Sequence, residues 1–285
     1  MENINHENMQ IIKRFTNELS VLGRSDNTLK EYQKVLLRAF RDIDKEIVVI
    51  KSDDIFEWLK YNYQNKSPFT YIFVKGVLNN FFNYCVRKNI IKINPVDPDW
   101  KPKTPTGTTK HLNDEEIAKV LIEVEKLDIR NRIIILLFET SGARRTEIRN
   151  LKVKDLNIKE CYAKVIGKGN KPGNIYFSEE CSILLQQIIE GKNRNDFVFT
   201  RKNSKSNLSG EGIYYITSKL FRSIGIKGKL GPHRFRHAFA CRLNNKGVSI
   251  ETIADILLHE NTSTTREYLA PNLTKVINEY RRCVG

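Results

Sequence analysis

Residues 233–237 read HRFRH, and residues 259–269 read HENTSTTREYL. The two stretches hold three of the five histidines of the chain, and each begins with a histidine. The first places Arg236 three residues after His233, and the second places Tyr268 nine residues after its leading histidine. Guanidinium groups match phosphate oxygens in pairs, and a phenol oxygen is a competent covalent nucleophile. These residue types together indicate chemistry on a phosphate ester.

Two stretches farther upstream add to this set. Residues 141–148 read SGARRTEI and contribute Arg144 and Glu147. Residues 165–177 read VIGKGNKPGNIYF, in which Lys168 stands between two glycines. With the downstream residues, the chain offers two guanidiniums, two imidazoles, an ammonium and a phenol. Such a set can break and reseal a phosphodiester without a metal ion.

The order of these residues, which is arginine, lysine, His-x-x-Arg, histidine and tyrosine, resembles that of the tyrosine recombinase (phage integrase) family. Each fragment is weak by itself, but their conjunction over residues 144–268 is specific. Residues 5–110 also resemble the helical core-binding domain and linker of that family. The resemblance implies a set of six catalytic residues, which are Arg144, Lys168, His233, Arg236, His259 and the nucleophile Tyr268.

The family also implies a role for each cation. Its two arginines bind the non-bridging oxygens of the scissile phosphate, whose charge grows in the transition state. Glu147, one turn after Arg144, is implied as the partner that orients that arginine. The family uses its lysine as the general acid that protonates the departing 5′-oxygen. Lys168 is implied for this role, and Lys171 is its near competitor.

Two positions depart from the family pattern. Arg145 stands where an apolar residue is more usual, and we assign it no role. Leu258 directly precedes His259, where the family normally has glycine. The local turn before the histidine therefore differs from the pattern, although the histidine itself is present.

The two histidines of HRFRH could also suggest a zinc site, because His233 and His237 lie four residues apart. The stretch has no acidic residue, and its two arginines would repel a dication. We therefore expect no metal, and we expect His237 to face the core or a backbone carbonyl. The sequence also lacks a Walker loop, an acidic metal triad and a Rossmann glycine pattern, so we expect no cofactor.

The charge of the chain indicates its partner. A net charge of +15 and a pI near 9.5 indicate a polyanion, and nucleic acid before a membrane surface. Residues 101–285 carry 33 lysines and arginines against 20 aspartates and glutamates, whereas residues 1–100 carry 15 against 13. The basic excess lies in the same half as the candidate active site, which favours DNA. The residues that we expect to contact DNA are Lys171, Arg201, Lys202 and Arg234.

Cysteine spacing and hydropathy indicate where in the cell the protein is expected. The five cysteines lack the paired spacing of metal or redox sites; they are Cys85, Cys161, Cys181, Cys241 and Cys283. No N-terminal stretch resembles a signal peptide, and the longest apolar run, Ile133–Phe138, is too short to span a bilayer. We expect a reduced, cytoplasmic, DNA-associated bacterial protein with no membrane partner.

The chain divides at a proline-rich segment. Residues 1–93 predict four helices with one apolar face each, which we interpret as a helical core-binding (SAM-like) DNA-binding domain. Thr28 and Glu31 have the capping-box spacing that would open the second helix. Residues 94–111 hold four of the eight prolines and predict a basic linker.

Residues 112–285 predict a catalytic domain that is helical apart from one small sheet. Two strands, 162–167 and 174–178, are joined through GKGNKPG, and residues 197–200 are a candidate third strand. Arg144 is expected at the start of a helix. The fold class is therefore mainly α with a small antiparallel sheet (α+β).

The tail after Tyr268 predicts one more helix, at residues 272–283. Its apolar stripe recurs at helical spacing and comprises Leu273, Val276, Ile277 and Tyr280. This stripe either packs on its own domain or docks on a neighbouring protomer, and the sequence leaves both open.

These features predict a site-specific DNA recombinase that forms a 3′-phosphotyrosyl bond and exchanges strands through a Holliday junction. The resemblance implies a homotetramer on two double-stranded DNA sites with inverted-repeat cores. Two alternatives stay open, a type IB topoisomerase and a non-catalytic DNA-binding regulator on the same scaffold. Because the four-helix domain begins almost at residue 5, we expect no arm-binding domain, which favours a Xer-like or transposon cointegrate-resolvase type. The sequence does not choose among integrase, chromosome dimer resolvase and cointegrate resolvase, or name the site or any accessory protein.

Overall fold

The structure of the chain is a computed structural model that describes residues 4–104, 112–202, 204–228 and 230–258, with only the backbone of Lys168. The chain divides into two compact units, Met1–Thr106 and Gly107–Gly285. Each unit has its own apolar core. Within the described residues, no helix is both long enough and apolar enough to cross a membrane.

The first unit is helical, as its sequence predicts. Its α-helices are α1 (His6–Val21), α2 (Asp26–Ile43), α3 (Ser52–Tyr63) and α4 (Pro68–Arg87). Three phenylalanines meet at the centre of its core, where the ring centroid of Phe81 lies 5.3 Å from that of Phe15 and 5.2 Å from that of Phe40. The predicted capping box at Thr28 is wrong, because α2 begins earlier and the hydroxyl of Ser25 accepts a hydrogen bond from the Thr28 backbone N–H.

The second unit is also mainly helical. Its helices are α5 (Asp114–Val124), α6 (Ile129–Ser141), α7 (Arg145–Asn150), α8 (Glu179–Ile189), α9 (Gly210–Ser223), α10 (His233–Asn245) and α11 (Ile250–Ile256). The centre of this unit is α6, whose residues 133–138 are all buried. Phe235 of α10 stacks on Phe138 of α6 and on Phe221 of α9, so the HRFRH stretch is anchored in the core by its central ring.

The described residues of the second unit also form one antiparallel sheet. Its strands are β1 (Leu156–Asn157), β2 (Tyr162–Ile166) and β3 (Pro172–Tyr176), in the order β1-β2-β3. The prediction of a hairpin around GKGNKPG is confirmed, with Val165 paired to Gly173. The candidate third strand at residues 197–200 is wrong, because this segment makes only isolated bridges and the third strand is the two-residue β1.

The fold class predicted from the sequence, mainly α with a small antiparallel sheet, is confirmed. Residues 105–111 of the predicted linker and the predicted helix at 272–283 lie outside the described residues. His259 and Tyr268 lie outside them as well.

Candidate active site

The chain turns sharply before Arg144. The helix α6 ends at Ser141, and Gly142 takes a left-handed conformation with φ 61°. A Cβ on Gly142 would lie 2.7 Å from Cδ1 of Phe239 and 2.8 Å from Cδ2 of Leu257, so a side chain here would collide with two neighbours. Glycine is therefore required both for the φ angle and for the close packing of α6 against the segment that follows α11.

Arg144 stands at the N-cap of α7 and is held there by Glu147. One carboxylate oxygen of Glu147 accepts from the Arg144 backbone N–H at 2.7 Å, and the other accepts from Nη1 at 2.7 Å. The side chain of Glu147 is only 1% exposed and that of Arg144 is 18% exposed. A carboxylate this deeply buried is stable when its charge is paired and hydrogen-bonded, as it is here. The pair fixes the guanidinium close to the surface of the unit.

Arg236 is more deeply buried, with 2% of its surface exposed. Its Nη1 donates to the carbonyl of Gly142 at 2.9 Å, and its Nη2 donates to the carbonyl of Leu257. These bonds join α10, the turn after α6 and the end of α11. The position of the Arg236 guanidinium is therefore set by three separate segments of the chain.

The end of α11 connects the two arginines. The carbonyl of Leu257 accepts from Arg236, and that of the next residue, Leu258, accepts from Nη2 of Arg144 at 3.0 Å. Carbonyl groups at a helix C-terminus lack partners within the helix and carry partial negative charge, so they suit cationic donors. Leu258 directly precedes His259 in the sequence.

The β2–β3 hairpin brings Gly167, the residue before Lys168, next to Arg144. The turn is closed by the backbone N–H of Gly167, which donates to the carbonyl of Lys171 at 2.8 Å. A Cβ on Gly167 would lie 3.8 Å from Nη1 of Arg144. The turn that contains Lys168 therefore begins beside the guanidinium of Arg144.

His233 is the first residue of α10 and is exposed. Desolvation by surrounding protein atoms lowers its pKa, and the positive charges of Arg236, Arg145 and Arg144 lower it further. A histidine whose pKa is lowered in this way is neutral at pH 7. His237, on the other hand, is buried, as the sequence predicts.

The residues expected to contact DNA fall into two groups. Lys171, Arg201 and Lys202 are exposed. Arg234 is buried, its Nη2 lies 3.2 Å from Oε2 of Glu116, and its guanidinium lies over the ring of Phe221. Removing Glu116 would leave the charge of Arg234 buried without this carboxylate. The expected DNA contact of Arg234 stays a prediction.

Three of the four cysteines in the described residues are poorly suited to act as nucleophiles. Burial raises the pKa of Cys85 to about 12, and burial also raises the pKa values of Cys181 and Cys241. Thiols must ionise in order to attack, so these three are poor nucleophiles at neutral pH.

Sequence patterns did not reveal the carbonyl partners of the arginines. The carbonyls of Gly142, Leu257 and Leu258 are backbone atoms, which every residue possesses and which leave no residue-type signature. The one available signal was Leu258 itself, a leucine where the family pattern has glycine. Arg145, to which we assigned no role, is exposed, and its Nη1 lies 3.3 Å from the carbonyl of Gly210.

The described part of the site therefore concentrates positive charge around the end of α11. It contains two guanidiniums whose positions are fixed by hydrogen bonds and a neutral imidazole. It also contains the backbone of the turn that carries Lys168. Fixed donors of this kind stabilise a developing negative charge without having to reorganise.

Comparisons with known proteins show which family the chain resembles. The family model described as "Phage integrase family" matches residues 110–275. The tyrosine recombinase XerD of Listeria monocytogenes is 27% identical over 277 residues, which cover 91% of this chain and 93% of the relative. The tyrosine recombinase XerC of Leptospira interrogans is 29% identical over an alignment of 288 residues, which covers 95% of this chain and 91% of the relative.

A solved structure shows the same fold. The Tn1549 transposon integrase, solved in complex with a circular intermediate DNA, matches with a TM-score of 0.77. The match covers 96% of this chain and 99% of that chain at 18% identity. At this identity the likeness concerns the fold alone.

Proposed function

The chain belongs to the phage integrase family, the tyrosine recombinases that cleave and rejoin DNA, and on that premise we propose that it is a site-specific recombinase acting through a covalent phosphotyrosyl intermediate. The observation that carries the proposal is the pair of guanidiniums of Arg144 and Arg236, both held at the end of α11. Two guanidiniums fixed in this way can bind both non-bridging oxygens of one phosphate.

In the proposed first step, the phenol oxygen of Tyr268 attacks the scissile phosphorus. A bond forms between this oxygen and the phosphorus, and the bond from the phosphorus to the 5′-oxygen breaks. The phenol gives its proton to water, and Lys168 gives a proton to the departing 5′-oxygen and then regains one from solvent. The products are a 3′-phosphotyrosyl bond and a free 5′-hydroxyl.

Arg144, Arg236 and the two histidines stabilise the pentacovalent transition state in this proposal. The lowered pKa of His233 keeps its ring neutral, so it can donate one hydrogen bond to the phosphate without adding charge. His259 follows Leu258 in the sequence and is the second candidate donor. Loss of either arginine is expected to cost roughly 3 kcal/mol or more in the barrier.

In the second step, the 5′-hydroxyl of the partner strand attacks the phosphotyrosyl bond and releases Tyr268. One phosphodiester is broken and one is formed, so the energy of the bond is conserved and no ATP is consumed. Two such exchanges pass through a Holliday junction. We expect the chemistry to proceed without a metal or an organic cofactor.

DNA binding in this proposal uses both units. The helical unit of residues 1–93 binds the core site, residues 94–111 link the two units, and residues 112–285 carry the chemistry. Exposed cations that support a DNA contact are Lys171, Arg201 and Lys202. Several contacts to phosphates would make the affinity fall steeply with salt.

We further propose a homotetramer on two inverted-repeat sites, with the helix at 272–283 docked on the neighbouring protomer. The names of the relatives, XerD and XerC, favour a Xer-type role over an integrase role. This role would place the protein with the DNA in the bacterial cytoplasm. Resolution of transposon cointegrates is the second candidate role.

A plasmid assay separates this function from its alternatives. A recombinase converts a supercoiled plasmid with two directly repeated sites into two circles. A type IB topoisomerase relaxes the plasmid but leaves one circle, and a non-catalytic regulator leaves it supercoiled. Two circles are the expected product, and either other outcome contradicts the proposal.

A further inference from the structure

Leu258 has a backbone conformation that is unusual for its residue type. Its φ is 52°, in the left-handed region, where the Cβ of an L-residue crowds the backbone. Its N–H donates to the carbonyl of Asp255 at 3.0 Å, as in the common helix ending for which glycine is preferred. A leucine keeps such a conformation only where surrounding contacts determine it.

The side chain of Leu258 makes such a contact with the hairpin. The three atoms nearest to the place where a Cβ on Gly173 would stand are all atoms of Leu258, with Cδ1 at 2.7 Å and Cγ at 3.1 Å. The leucine therefore fills the space that is free because β3 has a glycine here. Its own Cβ also lies 3.7 Å from where a Cβ on Gly167 would stand.

Another side of the hairpin is open. A cavity of about 580 Å³ lies there, and the residues that line it include Glu147, Lys164, Ile166, Pro172 and Gly173. The described side chains do not fill this space, so the cavity supports the hairpin less than the contact with Leu258 does. The contact with Leu258 is therefore positioned to hold the hairpin in place.

The same residue holds Arg144. The carbonyl of Leu258 accepts from Nη2 of that arginine at 3.0 Å. One residue thus touches the phosphate-binding arginine through its backbone and the lysine-bearing hairpin through its side chain.

We propose that Leu258 is a positioning residue that registers the β2–β3 hairpin, and hence Lys168, against the fixed guanidinium of Arg144. The proposal rests on the proposed function, in which Lys168 protonates the departing 5′-oxygen. It adds to that function a role for an apolar residue, which sets the position of the general acid Lys168. Leu258 acts in this account through the hairpin and not on the phosphate.

The test is the variant Leu258→Gly in the full chain. Glycine accepts the positive φ and keeps the carbonyl, so the fold and the bond to Arg144 are retained while the side chain is lost. Cleavage of a nicked substrate is measured in single turnovers, once with the natural 5′-oxygen and once with a 5′-sulfur as leaving group. Sulfur leaves without protonation, so a defect in general acid catalysis disappears on the sulfur substrate.

The expected result is a selective loss. Cleavage of the oxygen substrate should fall about tenfold or more, and cleavage of the sulfur substrate should stay within about twofold of the parent rate. Lys168→Ala should show the same selectivity, and Leu258→Gly should add little to it in the double variant. Equal losses on both substrates, or no loss on either, would overturn the proposal.

Cys161→Gly is a matched control. Cys161 also has a φ of 52°, and it packs partly buried against the same apolar core, but it lies before β2, at the opposite end of that strand from Gly167. This substitution releases the same kind of backbone strain and should leave both cleavage rates unchanged. If Cys161→Gly lowered the cleavage rate as much as Leu258→Gly does, the effect would come from the core in general, and the proposal would be overturned.

The contact can also be tested from the side of the hairpin. Gly173→Ala places a methyl group where Leu258 stands, so it should lower cleavage of the oxygen substrate. Adding Leu258→Gly removes the collision, so the double variant should cleave no more slowly than Leu258→Gly alone. Additive losses in the double variant would contradict a direct contact.

Hydrogen exchange distinguishes failure of this inference from failure of the proposed function. The Gly167 amide is bonded to the Lys171 carbonyl at 2.8 Å, and it should exchange faster in Leu258→Gly without any DNA present. Unchanged exchange overturns the role of Leu258 at the hairpin. If neither substrate forms a covalent adduct with the parent chain, the proposed function fails, whatever the exchange shows.

Discussion

Arg144 and Arg236 are oriented by protein groups before any phosphate binds. Arg144 is held by the Glu147 carboxylate and the Leu258 carbonyl, and Arg236 by the carbonyls of Gly142 and Leu257. In the proposed mechanism, these donors would stabilise the transition state without having to reorganise. The residue types at this site could be read from the sequence, because charged groups in a fixed order are informative. The backbone carbonyls that orient them could not.

Glu147→Gln tests the orientation of Arg144. The amide has one acceptor oxygen where the carboxylate has two, so one of the two bonds to Arg144 is lost, and so is the ion pair. The cleavage rate should fall about tenfold or more while binding of the site changes little. Glu115→Gln is the control, since Glu115 pairs with Lys119 on the exposed surface and should be silent. Equal effects of the two substitutions would contradict the role of Glu147.

His233 gives a prediction about pH. Its folded-state pKa is lowered, so the unfolded chain binds more protons between the lowered value and about 6.5, the usual value for histidine. The free energy of unfolding should therefore decrease as the pH falls below about 6.5. His233→Gln should reduce the dependence of the unfolding free energy on pH below about 6.5. An NMR titration of His233 should give a pKa below the usual value. A pKa at or above that value would contradict the environment described.

At the level of elements, the turn after α6 and the end of α11 position the two arginines of the site. Periodicity predicted the long helices, because one apolar face repeats over several turns. It missed β1, which has only two residues. It also misplaced the start of α2, where two hydroxyl residues, Ser25 and Thr28, compete as caps and only the tertiary fold decides between them. The contact of Arg234 with Glu116 could not be read from the sequence, because the two residues lie 118 positions apart.

Gly142→Ala tests the turn between α6 and Arg144. The alanine would have to adopt φ 61° and would also collide with Phe239 and Leu257. We expect a loss of about 2 kcal/mol or more in the free energy of unfolding, measured by urea titration. Gly191→Ala is the matched control, since Gly191 has φ 74° and no atom within 4 Å of its Cβ position. It should cost only about 1 kcal/mol. Equal costs would show that the packing around Gly142 is unimportant.

At the level of the whole molecule, two compact units are joined by a chain segment rich in proline. Composition predicts a linker at residues 94–111, since proline excludes both a helix interior and a central strand. The bounds of the two domains stay a prediction. How protomers assemble did not follow from the sequence, because the apolar stripe of residues 273–280 suits either its own domain or a neighbour.

Truncation after Ala270 tests the proposed assembly. The shortened chain should bind single sites normally and fail to bring two sites together, as measured by native gels and by recombination of a two-site plasmid. Ile277→Asp in the full chain should give the same result, because a charge in the stripe opposes burial. Recombination at the parent rate by the truncated chain would mean that the tail is only structural.

The most direct test of the central claim is to map the covalent bond between protein and DNA. A nicked substrate traps the intermediate, and mass spectrometry of the digested adduct identifies the attached residue. The account predicts one adduct, at Tyr268 and on a 3′-phosphate, formed at the same rate in EDTA. Tyr268→Phe should bind the site and form no adduct, whereas the control Tyr280→Phe should retain it. An adduct at another residue, or an undiminished adduct with Tyr268→Phe, would contradict the account.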